Sequence, residues 1–131
     1  MTWDNKNTIG NLQIDNDHKK IMDIITELEN QIETGFKQPA LTDTLVKLSV
    51  YCHRHFRAEE LAMEKDGFPG LENHKLRHNE LIKKVGLHFA QIMRGNQDAG
   101  FELLIFLYDW WNRHIVENDM EYARFTENQA A

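Results

Sequence analysis

A chain of 131 residues with 41% hydrophobic residues is long enough for one domain with a real core and too apolar for disorder. Its formal net charge is −6, with Lys and Arg scattered among the acids, so neither the charge nor its pattern suits nucleic acid. No apolar run approaches transmembrane length, the amino terminus lacks a signal-peptide core, and the single Cys52 cannot close an internal disulfide. The expectation is a soluble, cytoplasmic, monomeric protein in a reducing compartment.

Residues 1 to 14 read as an irregular arm. Asp15 is the expected N-cap of a first helix from about Asn16 to Thr34, closed by Gly35. Pro39 falls in the connection, and Thr42 or Asp43 starts a second helix that runs to about Lys65. Asp66-Gly67-Phe68-Pro69-Gly70 is a strong break. A third helix spans about Leu71 to Arg94, and Gly95-Asn96-Gln97-Asp98 turns the chain into a fourth. That helix runs from about Ala99 to Asn118 or beyond, with a loose tail after Phe125.

Apolar residues step by three and four within each helix. The stripes are His18, Ile21, Ile25, Leu28, Ile32; Leu41, Leu45, Leu48, Cys52, His55, Glu59, Ala62; Leu71, His74, His78, Leu81, Val85, His88, Ile92; and Leu104, Leu107, Trp111, His114. Short connections favour antiparallel neighbours. The fold class is therefore all-α, an up-down-up-down four-helix bundle over about residues 15–125 within a single 131-residue domain. No second domain or linker is expected.

Polar residues interrupt these stripes in a pattern. His55 and Glu59 are four apart, as are His74 and His78, so each pair shares a helix face. Antiparallel packing puts His18 at the start of the first helix level with His55 and Glu59 near the end of the second. It adds His74 and His78 at the start of the third and His114 near the end of the fourth. Imidazole and carboxylate donors suit a first-row metal, and with Asp119 the seven are too many for one ion and about right for two. Burying Glu59 and Asp119 without cations would cost several kcal/mol. Asp119 lies five residues after His114, about 140° around an α-helix. It joins the layer only if the fourth helix carries a π-type bulge or loosens just after Asn118.

Other polar groups have simpler readings. His88 is expected to be a seam histidine bonded to backbone, His53 an exposed residue, and Cys52 a buried inert thiol. Glu60 is expected at the surface, and capping accounts for Asp15 and Asp17.

Taken together, the motifs resemble the hemerythrin family in its single-domain bacterial form, the bacteriohemerythrins. The residues that carry the resemblance are Trp3-Asp4, Ile14-Asp15-Asn16-Asp17-His18, His55-Phe56-Arg57-Ala58-Glu59-Glu60, Gly67-Phe68-Pro69-Gly70, His74-Lys75-Leu76-Arg77-His78, and Trp110 leading to His114-Ile115 and Asp119. The resemblance implies that Glu59 and Asp119 bridge two irons, with an oxo or hydroxo bridge between them. His74, His78 and His114 would complete one iron. His18 and His55 would hold the other, which keeps an open position. Trp111 and Ile115 would form the wall of an oxygen pocket, and members usually carry Leu where this chain has Trp111.

The function implied is reversible dioxygen binding for storage, delivery or sensing, without enzymatic activity. Nitric oxide and azide are further candidate ligands. The stripes offer no side-chain acid or base near the open iron beyond the ligands, which favours a carrier. The alternatives are a di-iron redox enzyme, as a peroxidase, oxidase or nitric-oxide-handling protein, or a protein of iron storage or sensing.

Overall fold

A computed structural model describes residues 10–35, 38–96 and 98–130. Helix α1 spans Leu12–Glu33, α2 Gln38–Asp66 and α3 Leu71–Met93. The fourth rod is continuous but changes character. It is α-helical over Ala99–Trp110 (α4), π-helical over Trp111–Asp119, and α-helical again over Met120–Ala130 (α5).

Contacts fix the topology. α1 packs on α2, α2 on α3, α3 on α4, and α4 closes back on α1. At one end, Thr42 near the start of α2 meets Met93 at the end of α3, and Gly100 at the start of α4 lies against Ile32 at the end of α1. Neighbours are therefore antiparallel, and the bundle is the expected up-down-up-down one. No described helix is long and apolar enough to cross a membrane.

The buried apolar side chains form two clusters. The larger runs through the bundle and includes Ile21, Ile25, Leu28, Leu48, Leu81, Leu103, Leu107, Trp110, Trp111 and Ile115. The smaller, Ile14, Met63, Phe68, Tyr122 and Ala123, closes the end where α5 begins. The expected stripes are buried, except that Ala62, Leu71 and His88 are only half-buried.

Three boundaries differ from the sequence reading. α1 starts at Leu12 rather than Asn16, so residues 12–14 are helical and not part of an irregular arm. Its N-cap is Asn11, whose side chain accepts from the Ile14 N–H at 3.2 Å. Asp15 sits one turn in, and its carboxylate accepts from the Gly10 N–H at 3.2 Å. These two bonds satisfy amides on either side of the helix start, in the manner of a capping box. Ile14, four residues before His18, already belongs to the buried stripe. α2 begins at Gln38, so Pro39 lies in its first turn, where the lost N–H costs nothing because no acceptor waits for it. The segment after Phe125 stays helical to Ala130. Trp3, Asp4 and Gln97 lie outside the described residues.

The break after α2 shapes one wall of the site. Gly67 has φ +68°, and the N–H groups of Gly67 and Phe68 turn back to the carbonyls of Glu64 and Met63. That left-handed ending suits glycine. A Cβ on Gly70 would come within 2.7 Å of the Phe68 ring. Glycine there lets Phe68 fold back over the start of α3 and meet His74, ring centroids 5.9 Å apart.

Candidate metal centre

Between the two apolar clusters lies a polar layer. His18, His55, Glu59, His74, His78, His114 and Asp119 are each at most 2% exposed. One donor atom each from Glu59, His74, His78 and His114 lies within 4.8 Å of the others. The same holds for His18, His55, Glu59 and Asp119. All seven residues singled out in the sequence thus converge.

Asp119 arrives by the π-helical register. Hydrogen bonds to the fifth residue bring i and i+5 onto one face, which an α-helix cannot do. Asp119 Oδ1 then lies 3.3 Å from His114 Nε2 and 2.8 Å from His74 Nε2, while Oδ2 is 3.1 Å from His18 Nε2. Of the two expectations for this stretch, the π-helix is the one observed.

Glu59 is divided in the same way. Its Oε1 faces His78, His74 and His114 at 3.3, 3.5 and 3.8 Å. Its Oε2 faces His55 at 2.9 Å and His18 at 3.7 Å. Each carboxylate therefore turns one oxygen to a three-histidine side and the other to a two-histidine side.

Hydrogen bonds pair only part of this layer, His74 Nε2 with Asp119 Oδ1 and His78 Nε2 with His114 Nε2. Both Glu59 oxygens, Asp119 Oδ2 and the Nε2 atoms of His18 and His55 are closed off from solvent and make no hydrogen bond. Buried polar atoms are normally paired, and leaving them unpaired is costly. Metal cations would take these lone pairs together, so the donor set fits such a centre and suggests one.

Without a cation, protons do part of that work. Burial opposes a charge on His18, but Asp119 and Glu59 outweigh it and raise its pKa from 6.5 to about 9. His78 also moves up, because Glu59 and Glu60 overcome burial. Burial works against ionising Glu59, yet the imidazoles of His114, His18, His55 and His78 hold its carboxyl well below the usual range. Asp119 also lies below its usual range. Burial and the Glu59 charge oppose its ionisation, but His114, His18 and His74 prevail.

Two supporting carboxylates were misread as surface or capping groups. Glu60 is half-buried, and its Oε2 accepts from His78 Nδ1 at 2.8 Å. Asp17 Oδ2 lies 3.4 Å from His55 Nδ1. Such partners fix which imidazole nitrogen carries hydrogen and leave Nε2 free for a metal. Sequence spacing held the cue: Asp17 precedes His18, and Glu60 follows Glu59, placing each carboxylate beside a ligand's helix face.

Trp111 and Ile115 are buried in the large cluster beside the layer, and the Trp111 and His18 rings meet edge-on at 6.2 Å. His88 Nδ1 donates to the Lys84 carbonyl at 2.8 Å, away from the layer, as expected of a seam histidine. His53 is exposed. Cys52 is buried, and burial pushes its thiol up to about 12.

Comparison with known proteins gives a consistent result. Residues 10–125 match the family model described as the hemerythrin HHE cation binding domain. A bacteriohemerythrin of Clostridium acetobutylicum is 32% identical over 126 residues, covering 93% of this chain and 98% of that protein. One from Pseudomonas aeruginosa is 30% identical, covering 94% of this chain and 79% of its own. A wild-type hemerythrin crystal structure superposes with a TM-score of 0.79 at 27% identity, covering 95% of each chain.

Proposed function

Because the chain belongs to the hemerythrin family, we propose that it binds dioxygen reversibly at a carboxylate-bridged, non-haem di-iron centre, for oxygen storage, delivery or sensing. We read the whole chain as one such domain, working as a cytoplasmic monomer and not as an enzyme. The observation that carries this reading is the division of both carboxylates between the two sides: Glu59 turns one oxygen to His74, His78 and His114 and the other to His18 and His55, and Asp119 turns one to His74 and His114 and the other to His18.

In this reading His74, His78 and His114 would hold one iron and His18 and His55 the other, with Glu59 and Asp119 shared between them. Two ferrous ions, two carboxylates and one hydroxide leave a net charge of roughly +1, tolerable in a closed layer. The irons, when bound, supply the two electrons that dioxygen borrows and returns. The protein's part is to position and to exclude. Asp17 and Glu60 orient His55 and His78. Trp111 and Ile115 wall the two-histidine side with apolar surface, keeping out water that would promote oxidation of the centre.

The carrier reading needs no general acid or base besides the ligands. Asp15, the other buried carboxylate among the described residues, receives the Gly10 amide at the start of α1. The test is to reduce the iron-loaded protein anaerobically, admit air, then remove oxygen. A visible band that appears in air and disappears on deoxygenation is expected. Irreversible conversion to a ferric form would point to redox chemistry instead.

A further inference from the structure

A groove of about 640 Å³ runs along the outside of α3 and the fourth rod and reaches His114. Four cationic side chains line it, Arg77, Lys83, Lys84 and Arg113, against two carboxylates, Glu80 and Asp109. This excess of positive charge stands on a chain whose formal charge is −6. Asp109 pairs with Arg113 at 3.2 Å, which leaves Arg77, Lys83 and Lys84 facing Glu80. Leu87, Phe106 and the edge of Trp110 give the groove an apolar surface, and the Lys84 ammonium sits 5.7 Å over the Phe106 ring.

A second observation concerns two nitrogens of residues that line this groove. Trp110 Nε1 and His114 Nδ1 are both buried and neither has a hydrogen-bond partner. An indole nitrogen can only donate. His114 turns Nε2 inward, 3.0 Å from His78 Nε2 and 3.3 Å from Asp119, so its outer nitrogen carries the hydrogen when Nε2 serves a metal. His78, on the same side of the centre, gives its outer nitrogen to Glu60. For His114 the chain provides no such acceptor among the described residues.

We propose that the groove binds a small monocarboxylate with an apolar body. Its carboxylate accepts from Trp110 Nε1 and His114 Nδ1 beneath the Arg77 and Lys84 cations, and its body lies on Leu87 and Phe106. The ligand supplies to His114 what Glu60 supplies to His78. Binding in the groove is independent of what the centre does with oxygen; only the share of His114 rests on the proposed metal reading.

Calorimetric titration with phenylacetate, hexanoate and the neutral phenylacetamide tests this, on the iron-loaded chain and on the chain stripped by chelator. Saturable binding of at least one acid is expected, with the amide at least tenfold weaker than phenylacetate. The tighter acid shows whether the body is a ring or an alkyl chain. Trp110→Phe and the charge-removing Arg77→Gln should each weaken binding at least fivefold. Stripping iron should weaken it without abolishing it, because the His114 hydrogen can then move to Nε2. The proposal is overturned if neither acid saturates, if the amide binds as well as phenylacetate, or if both variants bind like the parent. Equal affinity with and without iron would remove His114 from the site.

Discussion

The three-histidine side of the centre and the two-histidine side share both carboxylates but hold their imidazoles differently. On the first side His78 lies flat on Phe56, centroids 3.8 Å apart and planes within 4°, and His114 stacks on Trp110 at 4.9 Å. Phe68 meets His74 edge-on, and Glu60 takes the outer nitrogen of His78 at 2.8 Å. On the second side His18 meets His55 and Trp111 only edge-on, and Asp17 stands 3.4 Å from His55. The better-clamped side is the one with the fuller ligand set. The looser side has one imidazole fewer, which in the proposed reading makes it the side for ligand exchange.

The shared carboxylates are where the comparison breaks most completely. Glu59→Gln or Asp119→Asn should empty or cripple both sides together, dropping iron well below two per chain by elemental analysis. The melting temperature should fall as well, because the helices lose a shared cross-link. Normal loading of one ion in both variants would show that the two sides assemble independently.

Metal and protons should exchange roles across pH. In the stripped chain the His18 proton contributes stability that is complete below its ordinary pKa of 6.5 and fades as pH rises through about 9. Glu59 and Asp119 behave oppositely. Their contributions are complete above the ordinary values of 4.5 and 3.8 and fade as pH falls through the depressed ones. The stripped chain should therefore be most stable between those limits, about pH 4.5 to 6.5. The loaded chain should lack the alkaline decline and lose iron in acid, since protons compete for the same lone pairs. Melting curves of both forms decide this; a stripped chain equally stable at pH 6 and pH 9.5 would contradict it.

The supporting carboxylates sharpen the contrast. Glu60→Gln should weaken iron retention against a chelator by about tenfold, the low end for such partners. Asp17→Asn, with a longer contact and a more exposed carboxylate, should cost less. The reverse order would mean that the two-histidine side is the one held more firmly.

Much of this architecture was legible in the sequence, for identifiable reasons. The stripes of three and four gave the helices and, with antiparallel packing, one polar layer from four separate segments. The i+5 spacing of His114 and Asp119 required a departure from α-helix at that point, and the π-helix is there. Helix starts were less legible. Asn11 and Asp15 are both good caps, and only the buried Ile14, which extends the stripe one turn before His18, favours Asn11. Glu60 and Asp17 were misread because helical phase says which way a residue leaves its own helix. It does not say that an imidazole from another helix comes to meet it.

Trp111 should affect kinetics rather than assembly. Trp111→Leu is expected to keep two irons while changing azide or oxygen association and the rate of autoxidation. Unchanged ligand kinetics in a well-folded variant would put the indole outside the pocket. The smallest effect belongs to His88, whose Nδ1 serves its own helix backbone. His88→Gln should keep both irons and their spectrum, at most lowering stability; lost iron would extend the site beyond the layer.

The central claim is that the layer holds a pair of irons bridged by the same two side chains. Anomalous scattering from crystals of the iron-loaded protein, collected at the iron edge, locates the ions directly. Two peaks are expected, one among His74, His78 and His114 and one beside His18 and His55, with Glu59 and Asp119 spanning both. A single peak, or a pair that leaves either carboxylate on one side only, would contradict it.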